Sequence, residues 1–165
     1  MNMIEATINV KDYGTMRFEL DREAAPITVD NFVTLATSGF YDGLGFCRIV
    51  KGFVIQGGSK TNSITGDSDH HIKGEFLSNG VNNPLKHVKG TLSMARSQDP
   101  DSAGTQFFVM LEDAPHLDDG YAAFGTMLDG FDVLARIGDV ETTGAADWNR
   151  PLEMPLMESV TITES

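Results

Sequence analysis

The sequence lacks the features that define several large classes of protein. It has one cysteine, Cys47, in 165 residues, which excludes an intramolecular disulfide and is typical of a reducing compartment. No segment approaches the roughly 18 consecutive apolar residues of a membrane-spanning helix. Basic residues are scarce, since 12 Lys and Arg stand against 24 Asp and Glu for a formal net charge of −12. Nucleic acids and anionic membranes are therefore expected to be poor partners, because both select a concentrated basic surface.

Repeats, linkers and low-complexity tracts are also missing. The chain is therefore expected to form one domain over residues 1–165, long enough to bury a substantial core. Residues 1–7 carry neither the basic start nor the apolar core of a secretory signal, which predicts a cytoplasmic location.

What the chain does contain is a series of short strand patterns. Residues 15–20 alternate strictly between polar and apolar side chains, which predicts a strand with one buried face. With 17 glycines and only two helical patterns, the fold class is predicted to be mainly β, an eight-stranded antiparallel barrel closed by two α-helices. The other predicted strands are 4–10, 46–50, 53–57, 91–95, 106–111, 122–128 and 156–163.

Two segments have helical spacing. The first begins near Pro26 or Thr28 and ends at Ser38-Gly39, with Pro26 in the first turn and Gly39 as the C-terminal cap. The second runs from 130 to 138. The residues predicted to face the core are Ile27, Phe32, Leu35 and Ala36 in the first helix, and Phe131, Val133, Leu134 and Ile137 in the second.

A long polar segment, 59–89, has neither pattern and is predicted to be a functional loop. It contains the one cluster with metal-ligating side chains. The spacing of that cluster matches no standard ligand pattern, so no metal site is predicted. Its members are Asp67, Asp69, His70 and His71.

The most informative part of the chain is the pair of apolar segments within residues 46–58, which contain Arg48 and Gln56. A charged side chain in such a segment is costly to bury without a partner. Arg48 is therefore either a structural or surface residue, or it projects into a groove and meets a substrate. The motifs Gly-Thr-Leu-Ser-Met-Ala-Arg at 90–96 and Gly-Thr-Gln-Phe-Phe at 104–108 favour the second interpretation.

Together these motifs resemble the cyclophilin family of peptidyl-prolyl cis–trans isomerases. The similarity runs from Ile4 to Ile162 and is dense at 46–58, 90–108 and 116–125. It implies an enzyme that rotates X–Pro peptide bonds and assists protein folding. Proline-containing peptides and folding proteins would be its substrates. The enzyme would need no cofactor. It would be a monomer, of the single-domain type found in bacteria.

The resemblance also assigns the site residues. Arg48 is similar to the catalytic arginine, which stabilises the twisted amide, and Gln56 to the glutamine that orients it. Arginine suits this task because it is permanently charged and presents a rigid set of donors. The substrate-binding positions implied are Phe53, Val54, Ala95, Arg96, Gln106, Phe108, His116, Leu117 and Tyr121.

Four positions depart from the commonest eukaryotic pattern. Val54 replaces a methionine, and both Cys47 and Tyr121 occupy positions that are often histidine. His116 replaces the tryptophan that meets cyclosporin in sensitive members, so the resemblance predicts weak cyclosporin binding.

Two functions from other classes compete with this interpretation. The first is a peptide-binding module that keeps the groove without useful catalysis, which would have no need of Arg48. The second is a thiol-dependent enzyme using Cys47. No basic residue lies near Cys47 in the sequence, which favours a buried, inert thiol.

The hairpin at 46–58 presents a conflict. A two-residue turn at Lys51-Gly52 would place Arg48 opposite Ile55, and Gln56 would then point to the other face of the sheet. The resemblance requires Arg48 beside Gln56. An irregular or bulged connection at Gly52 is therefore predicted.

Overall fold

A single antiparallel sheet of eight strands organises the computed structural model, which describes residues 3–64 and 70–165. The strand order is β3-β4-β6-β5-β7-β2-β1-β8. The sheet curls until its two ends meet, where Gly45 bridges Leu156 and the Gly43 N–H donates to the Met157 carbonyl at 2.7 Å. The predicted mainly β, eight-stranded antiparallel fold is confirmed. The strands are β1 Ile4–Val10, β2 Gly14–Leu20, β3 Arg48–Val50, β4 Val54–Gly57, β5 Thr91–Met94, β6 Phe107–Met110, β7 Ala123–Asp129 and β8 Met157–Glu164.

Both predicted helices are present, as α1 Pro26–Thr37 and α2 Phe131–Gly138. Helix α1 ends at Gly39, whose φ of +81° is a conformation that favours glycine. The Gly39 N–H donates to the Ala36 carbonyl at 3.1 Å, and the next N–H, of Phe40, reaches back to Leu35 at 3.0 Å. This pair of bonds is a Schellman motif, and the predicted cap at Gly39 is confirmed.

The predicted core faces of the helices are wrong at two positions. Ile27 is 45% exposed and Phe131 is 42% exposed, because each lies in the first turn of its helix, at an end of the element. In α1 the buried stripe begins at Thr28 rather than at Ile27, because the hydroxyl and N–H of Thr28 turn inward to the Glu75 carboxylate, both at 2.6 Å. The residues that α1 buries are Thr28, Val29, Phe32 and Ala36.

The sheet separates two apolar clusters. Inside the curl, Phe107 packs edge-on against Phe32, Tyr41 and Phe46, with ring centroids 5.3–6.2 Å apart. Its neighbour Phe108 points to the outer face because side chains alternate along a strand. The smaller outer cluster consists of Val54, Phe108, Met110, Ala114 and Leu117.

The segment after β4 is held against the rest of the molecule by polar contacts. Buried Glu75 accepts hydrogen bonds from the first turn of α1, as described above, and thereby satisfies N–H groups that have no partner within the helix. The Asn83 side chain donates to the carbonyls of Glu75 and Ala123, at 3.0 and 2.8 Å. In the described part of the chain, no helix has the length and apolar character needed to cross a membrane.

Candidate active site

The β3–β4 hairpin brings Arg48 and Gln56 directly opposite each other, without any register shift between the strands. The predicted irregular or bulged connection takes the form of a longer turn, and the ladder between the two strands carries no bulge. The connection contains three residues, 51–53, and the Phe53 N–H closes the turn on the Val50 carbonyl at 2.9 Å. Gly52 takes a φ of +73°, as the third position of a type II turn requires. The extra residue restores the pairing that a two-residue turn would have lost.

A chain of side-chain hydrogen bonds begins at Arg48. Its Nη1 donates to Gln56 Oε1 at 3.1 Å, and Gln56 Nε2 donates to Gln106 Oε1 at 2.9 Å. Arg48 is half-buried, whereas both glutamines are buried. None of the described carboxylates forms an ion pair with Arg48. Its charge is therefore oriented by neutral amides rather than neutralised by an acid.

This guanidinium borders a cavity of about 180 Å³ on the outer face of the sheet. Buried Val54, Phe108 and Leu117 form its apolar floor. Nine of the eleven predicted site residues line this cavity. They are Arg48, Phe53, Val54, Gln56, Ala95, Arg96, Phe108, Leu117 and Tyr121.

The other two predicted residues lie beside the cavity. The His116 ring stacks on Phe53, with centroids 6.0 Å apart and planes 20° from parallel. Gln106 borders a second, more polar cavity of about 320 Å³, which shares Gln56, Ala95 and Arg96 with the first. An extended chain could therefore cross from one cavity to the other along a continuous set of side chains.

The side-chain donors of Arg96, one of the predicted substrate-binding residues, are directed at the protein itself. Its Nε and Nη2 both donate to the Gly120 carbonyl, at 2.9 and 2.7 Å, and Nη1 donates to the Ser97 carbonyl at 2.9 Å. The guanidinium carbon also lies 4.9 Å from the centroid of Phe76 and 4.8 Å from that of Tyr121. The Arg96 side chain is thus directed at the protein's own loops.

His87 is a residue at this site that sequence reasoning missed. It is 1% exposed, and its ring stacks behind Phe108 with centroids 6.0 Å apart. Nδ1 lies 3.1 Å from Asp118 Oδ1, and Nε2 lies 2.9 Å from Ser93 Oγ. A neutral ring with its proton on Nδ1 satisfies both partners, and burial lowers the pKa of His87 despite the nearby carboxylate. Because His87 is a single histidine in a polar segment, nothing in the sequence indicated that it would lie behind the cavity.

The alternative chemistries receive little support from the geometry. Cys47 is buried, as predicted. Within residues 3–64 and 70–165, no group of three His, Cys, Asp or Glu side chains could hold a metal ion. Of the suspected metal cluster, Asp67 and Asp69 lie outside the described residues, and His70 Nε2 contacts Asn31 Oδ1 at 2.5 Å.

Comparison with known proteins gives a consistent result. Residues 5–162 match the family model described as cyclophilin type peptidyl-prolyl cis–trans isomerase/CLD. A peptidyl-prolyl cis–trans isomerase of Helicobacter pylori is 44% identical over 131 residues, 77% of each chain. Peptidyl-prolyl cis–trans isomerase B of Bacillus subtilis is 43% identical over 133 residues, 79% of this chain and 90% of the relative. A Cryptosporidium parvum cyclophilin, crystallised in the presence of the dipeptide Ala-Pro, superposes with a TM-score of 0.84 and 30% identity over 96% of this chain and 98% of its own.

Proposed function

Because the chain belongs to the family of cyclophilin-type peptidyl-prolyl cis–trans isomerases, we propose that it catalyses X–Pro rotation with Arg48 as its catalytic residue. The observation that carries this proposal is the Arg48 guanidinium, which borders an apolar cavity without an ion-pair partner among the described residues. A guanidinium used only for structure would be expected to have most of its donors occupied by acceptors of the protein, as in Arg96, whereas Arg48 donates one side-chain hydrogen bond within the described residues.

The cavity suits a proline side chain. Proline offers a small apolar ring and no N–H, and Val54, Phe108 and Leu117 present apolar surface at the bottom of the cavity. The aromatic rings of Phe53 and Tyr121 complete the lining. The ring would enter the cavity, and the peptide backbone on either side would remain at the surface.

Rotation of the bond then requires selective stabilisation of the twisted amide. The planar amide resists rotation with a barrier of about 18–20 kcal/mol, because the nitrogen lone pair is shared with the carbonyl. Twisting localises that pair on nitrogen, where an Arg48 N–H can donate to it. This interaction is absent in both planar isomers, so it lowers the barrier rather than merely tightening binding. An acceleration of 10⁵-fold would correspond to about 7 kcal/mol.

Gln56 and Gln106 would fix the direction of the Arg48 donors. Gln56 accepts from Arg48 and is itself held by Gln106, so the guanidinium needs little reorganisation when the substrate twists. Such preorganised donors are most effective where water is partly excluded.

The proposed substrates are proline-containing peptides and the exposed X–Pro segments of folding proteins. Two observations support this, the apolar cavity and the Ala-Pro dipeptide present with the C. parvum relative. Uncatalysed X–Pro exchange takes tens to hundreds of seconds, so we propose a role in slow folding steps, carried out by a cytoplasmic monomer. His116 beside Phe53 in place of tryptophan supports weak cyclosporin binding.

The test is two-dimensional exchange NMR on a short X–Pro peptide with wild type, Arg48→Ala and Arg17→Ala. Arg17 is a matched control, because it is also a strand arginine but pairs with Glu5 at 3.0 Å. Arg48→Ala should slow catalysed exchange by about 10²-fold, with peptide affinity changed far less and the fold intact. Arg17→Ala should leave exchange unchanged.

Three other outcomes would contradict the proposal. Peptide binding without exchange in wild type would indicate a binding module. Equal exchange in wild type and Arg48→Ala would mean that another residue is catalytic. Loss of exchange in Cys47→Ser would favour the thiol mechanism.

A further inference from the structure

We propose that Arg96 is a positioning residue, which holds the Tyr121 wall of the proline cavity in place without contacting the substrate through its guanidinium. This inference rests on the proposed function, because it assigns a role to a wall of the same cavity. It separates Arg96 from Arg48, although both side chains line the cavity.

Most of the hydrogen-bond donors of Arg96 are occupied within the protein. All three of its side-chain nitrogens donate to backbone carbonyls, two of them to Gly120 and the third to Ser97, with a longer bond to Gln98 at 3.4 Å. These four bonds leave one of the five N–H donors of the side chain, and the group as a whole is held against the protein. The planar geometry of arginine suits it for bridging two loops in this way, since several donors are fixed in one plane.

The contacts of Arg96 converge on Tyr121. The Gly120 carbonyl belongs to the residue immediately before Tyr121, so Arg96 holds the backbone at that point. The guanidinium also lies 4.8 Å from the centroid of the Tyr121 ring, within the range of a cation–π interaction. Backbone and ring of the same residue are therefore held by one side chain.

Tyr121 in turn contacts the floor of the cavity. Its ring meets Phe108 edge-on, with centroids 5.9 Å apart. On the other side, Phe76 lies 4.9 Å from the Arg96 guanidinium. The order Phe76, Arg96, Tyr121, Phe108 is a continuous series of contacts from a loop to the floor of the cavity, and removing Arg96 would interrupt it in the middle.

The wall touches proline in the planar and twisted states alike, so its loss should weaken binding uniformly. A loss of binding that is equal in the ground state and the transition state raises KM and leaves kcat unchanged. Arg96→Met should therefore raise KM about fivefold to tenfold with kcat within about twofold of wild type. Arg96→Lys keeps the charge but not the fork of donors, and should show a smaller rise in KM.

A spectroscopic measurement separates positioning from general destabilisation. The chain has three tyrosines, so protein labelled with 3-fluorotyrosine gives three ¹⁹F resonances, assigned with Tyr→Phe variants. Arg96→Met should shift and broaden the Tyr121 resonance and leave those of Tyr13 and Tyr41 in place.

Arg136→Met is the matched control. Arg136 also lies over a tyrosine ring, with its guanidinium carbon 5.8 Å from the centroid of Tyr13, and donates to the Tyr13 carbonyl. Arg136 is not among the residues that line the proline cavity. Its loss should shift the Tyr13 resonance alone and leave KM unchanged.

A double variant tests the coupling. If Arg96 acts through Tyr121, Arg96→Met should have little effect on KM once Tyr121 is replaced by leucine. Three results would overturn the inference: KM and the Tyr121 resonance both unchanged in Arg96→Met, a rise in KM with an unchanged Tyr121 resonance, or a fall in kcat at constant KM. Failure of the proposed function is distinguishable, because wild type would then show no catalysed exchange while the Tyr121 resonance still responded to Arg96→Met.

Discussion

Arg48 and Arg96 line the same cavity but use their donors in different ways. Among the described residues, Arg48 donates one hydrogen bond, to the neutral side chain of Gln56. Arg96 donates to three backbone carbonyls and lies against two aromatic rings. In our proposal the first arginine keeps donors for a substrate, whereas the second is part of the framework. The comparison teaches that residue type alone does not separate these two proposed roles, and that the partners of the donors do.

The two arginines also differ in their position in the sheet and in what packs against them. Arg48 lies on β3, the strand at one end of the sheet order, and its side-chain hydrogen bond to Gln56 stays within the β3–β4 hairpin. Arg96 follows β5 in the interior of the sheet and packs on Phe76. Phe76 is adjacent to Glu75, which binds the first turn of α1. Arg96 and the Tyr121 wall are therefore supported by Phe76 and by the segment that contacts α1. Substitutions in that segment should change the free energy of unfolding as well as peptide binding.

The largest effect on stability is expected for Glu75→Gln. Glu75 is 2% exposed and accepts three hydrogen bonds from Ile27 and Thr28. The amide would turn a donor toward one N–H group and remove the charge, at a cost of about 2–3 kcal/mol in the free energy of unfolding. KM should rise modestly because Phe76 moves, whereas kcat, which we propose depends on Arg48, should not change. Urea titration and exchange kinetics measure both.

Asp30→Asn is the control for Glu75→Gln. Asp30 is an acidic residue of α1 itself, but its ion pair with Arg22 is exposed, and its loss should cost less than about 1 kcal/mol. Equal destabilisation by the two variants would show that Glu75 has no special role. A fall in kcat for Glu75→Gln would show that the Tyr121 wall and the function of Arg48 are not independent.

Gln56→Leu should impair the proposed catalytic function of Arg48 specifically. Without the acceptor Oε1 the guanidinium loses its oriented bond, and we expect kcat to fall about tenfold, equivalent to about 1.4 kcal/mol. Gln106→Leu is the matched variant, because it leaves the Arg48–Gln56 bond intact and removes the next bond. Its effect on kcat should be about twofold. If Gln56→Leu left kcat unchanged, orientation of Arg48 by this hydrogen bond would be the wrong explanation.

The parts of this structure that the sequence predicts are those with a local cause. Alternating side chains at 15–20 and short apolar segments elsewhere located all eight strands, and the glycine after α1 located its end. The form of the turn between β3 and β4 stayed open, because Lys51-Gly52 is compatible with more than one turn type. The choice depends on the φ of Gly52 and on the bond between Phe53 and Val50.

The parts that sequence reasoning did not predict depend on contacts between distant segments. The stripe of α1 begins at Thr28 rather than at Ile27 because Thr28 bonds Glu75, 47 positions away. The donors of Arg96 are occupied by Gly120, 24 positions away. Neither partner is visible as a pattern in the sequence, so the resemblance could place Arg96 at the cavity but could not show where its donors point.

The smallest effect on stability is expected for His87, whose ring lies between the two regions compared. It contacts Phe108 in the floor of the cavity and Tyr121 in the wall that Arg96 holds. Burial lowers the pKa of His87 below the ordinary value of 6.5, although the Asp118 carboxylate opposes the shift and His116 adds to it. Below about pH 6.5 the unfolded chain therefore binds a proton that the folded protein resists. The contribution of His87 to stability is complete above that pH and is lost as the pH falls toward the lowered pKa.

His87→Gln should flatten this dependence. Glutamine offers a donor and an acceptor near Asp118 and Ser93 but does not titrate, so the variant should be less stable than wild type at pH 7.5 and should approach it at pH 5. The measurement is the free energy of unfolding by urea at both pH values, in wild type and variant. Because the two proteins have the same carboxylates, the difference between their slopes isolates His87. A constant difference across the pH range would mean that His87 stabilises the site through packing on Phe108 alone.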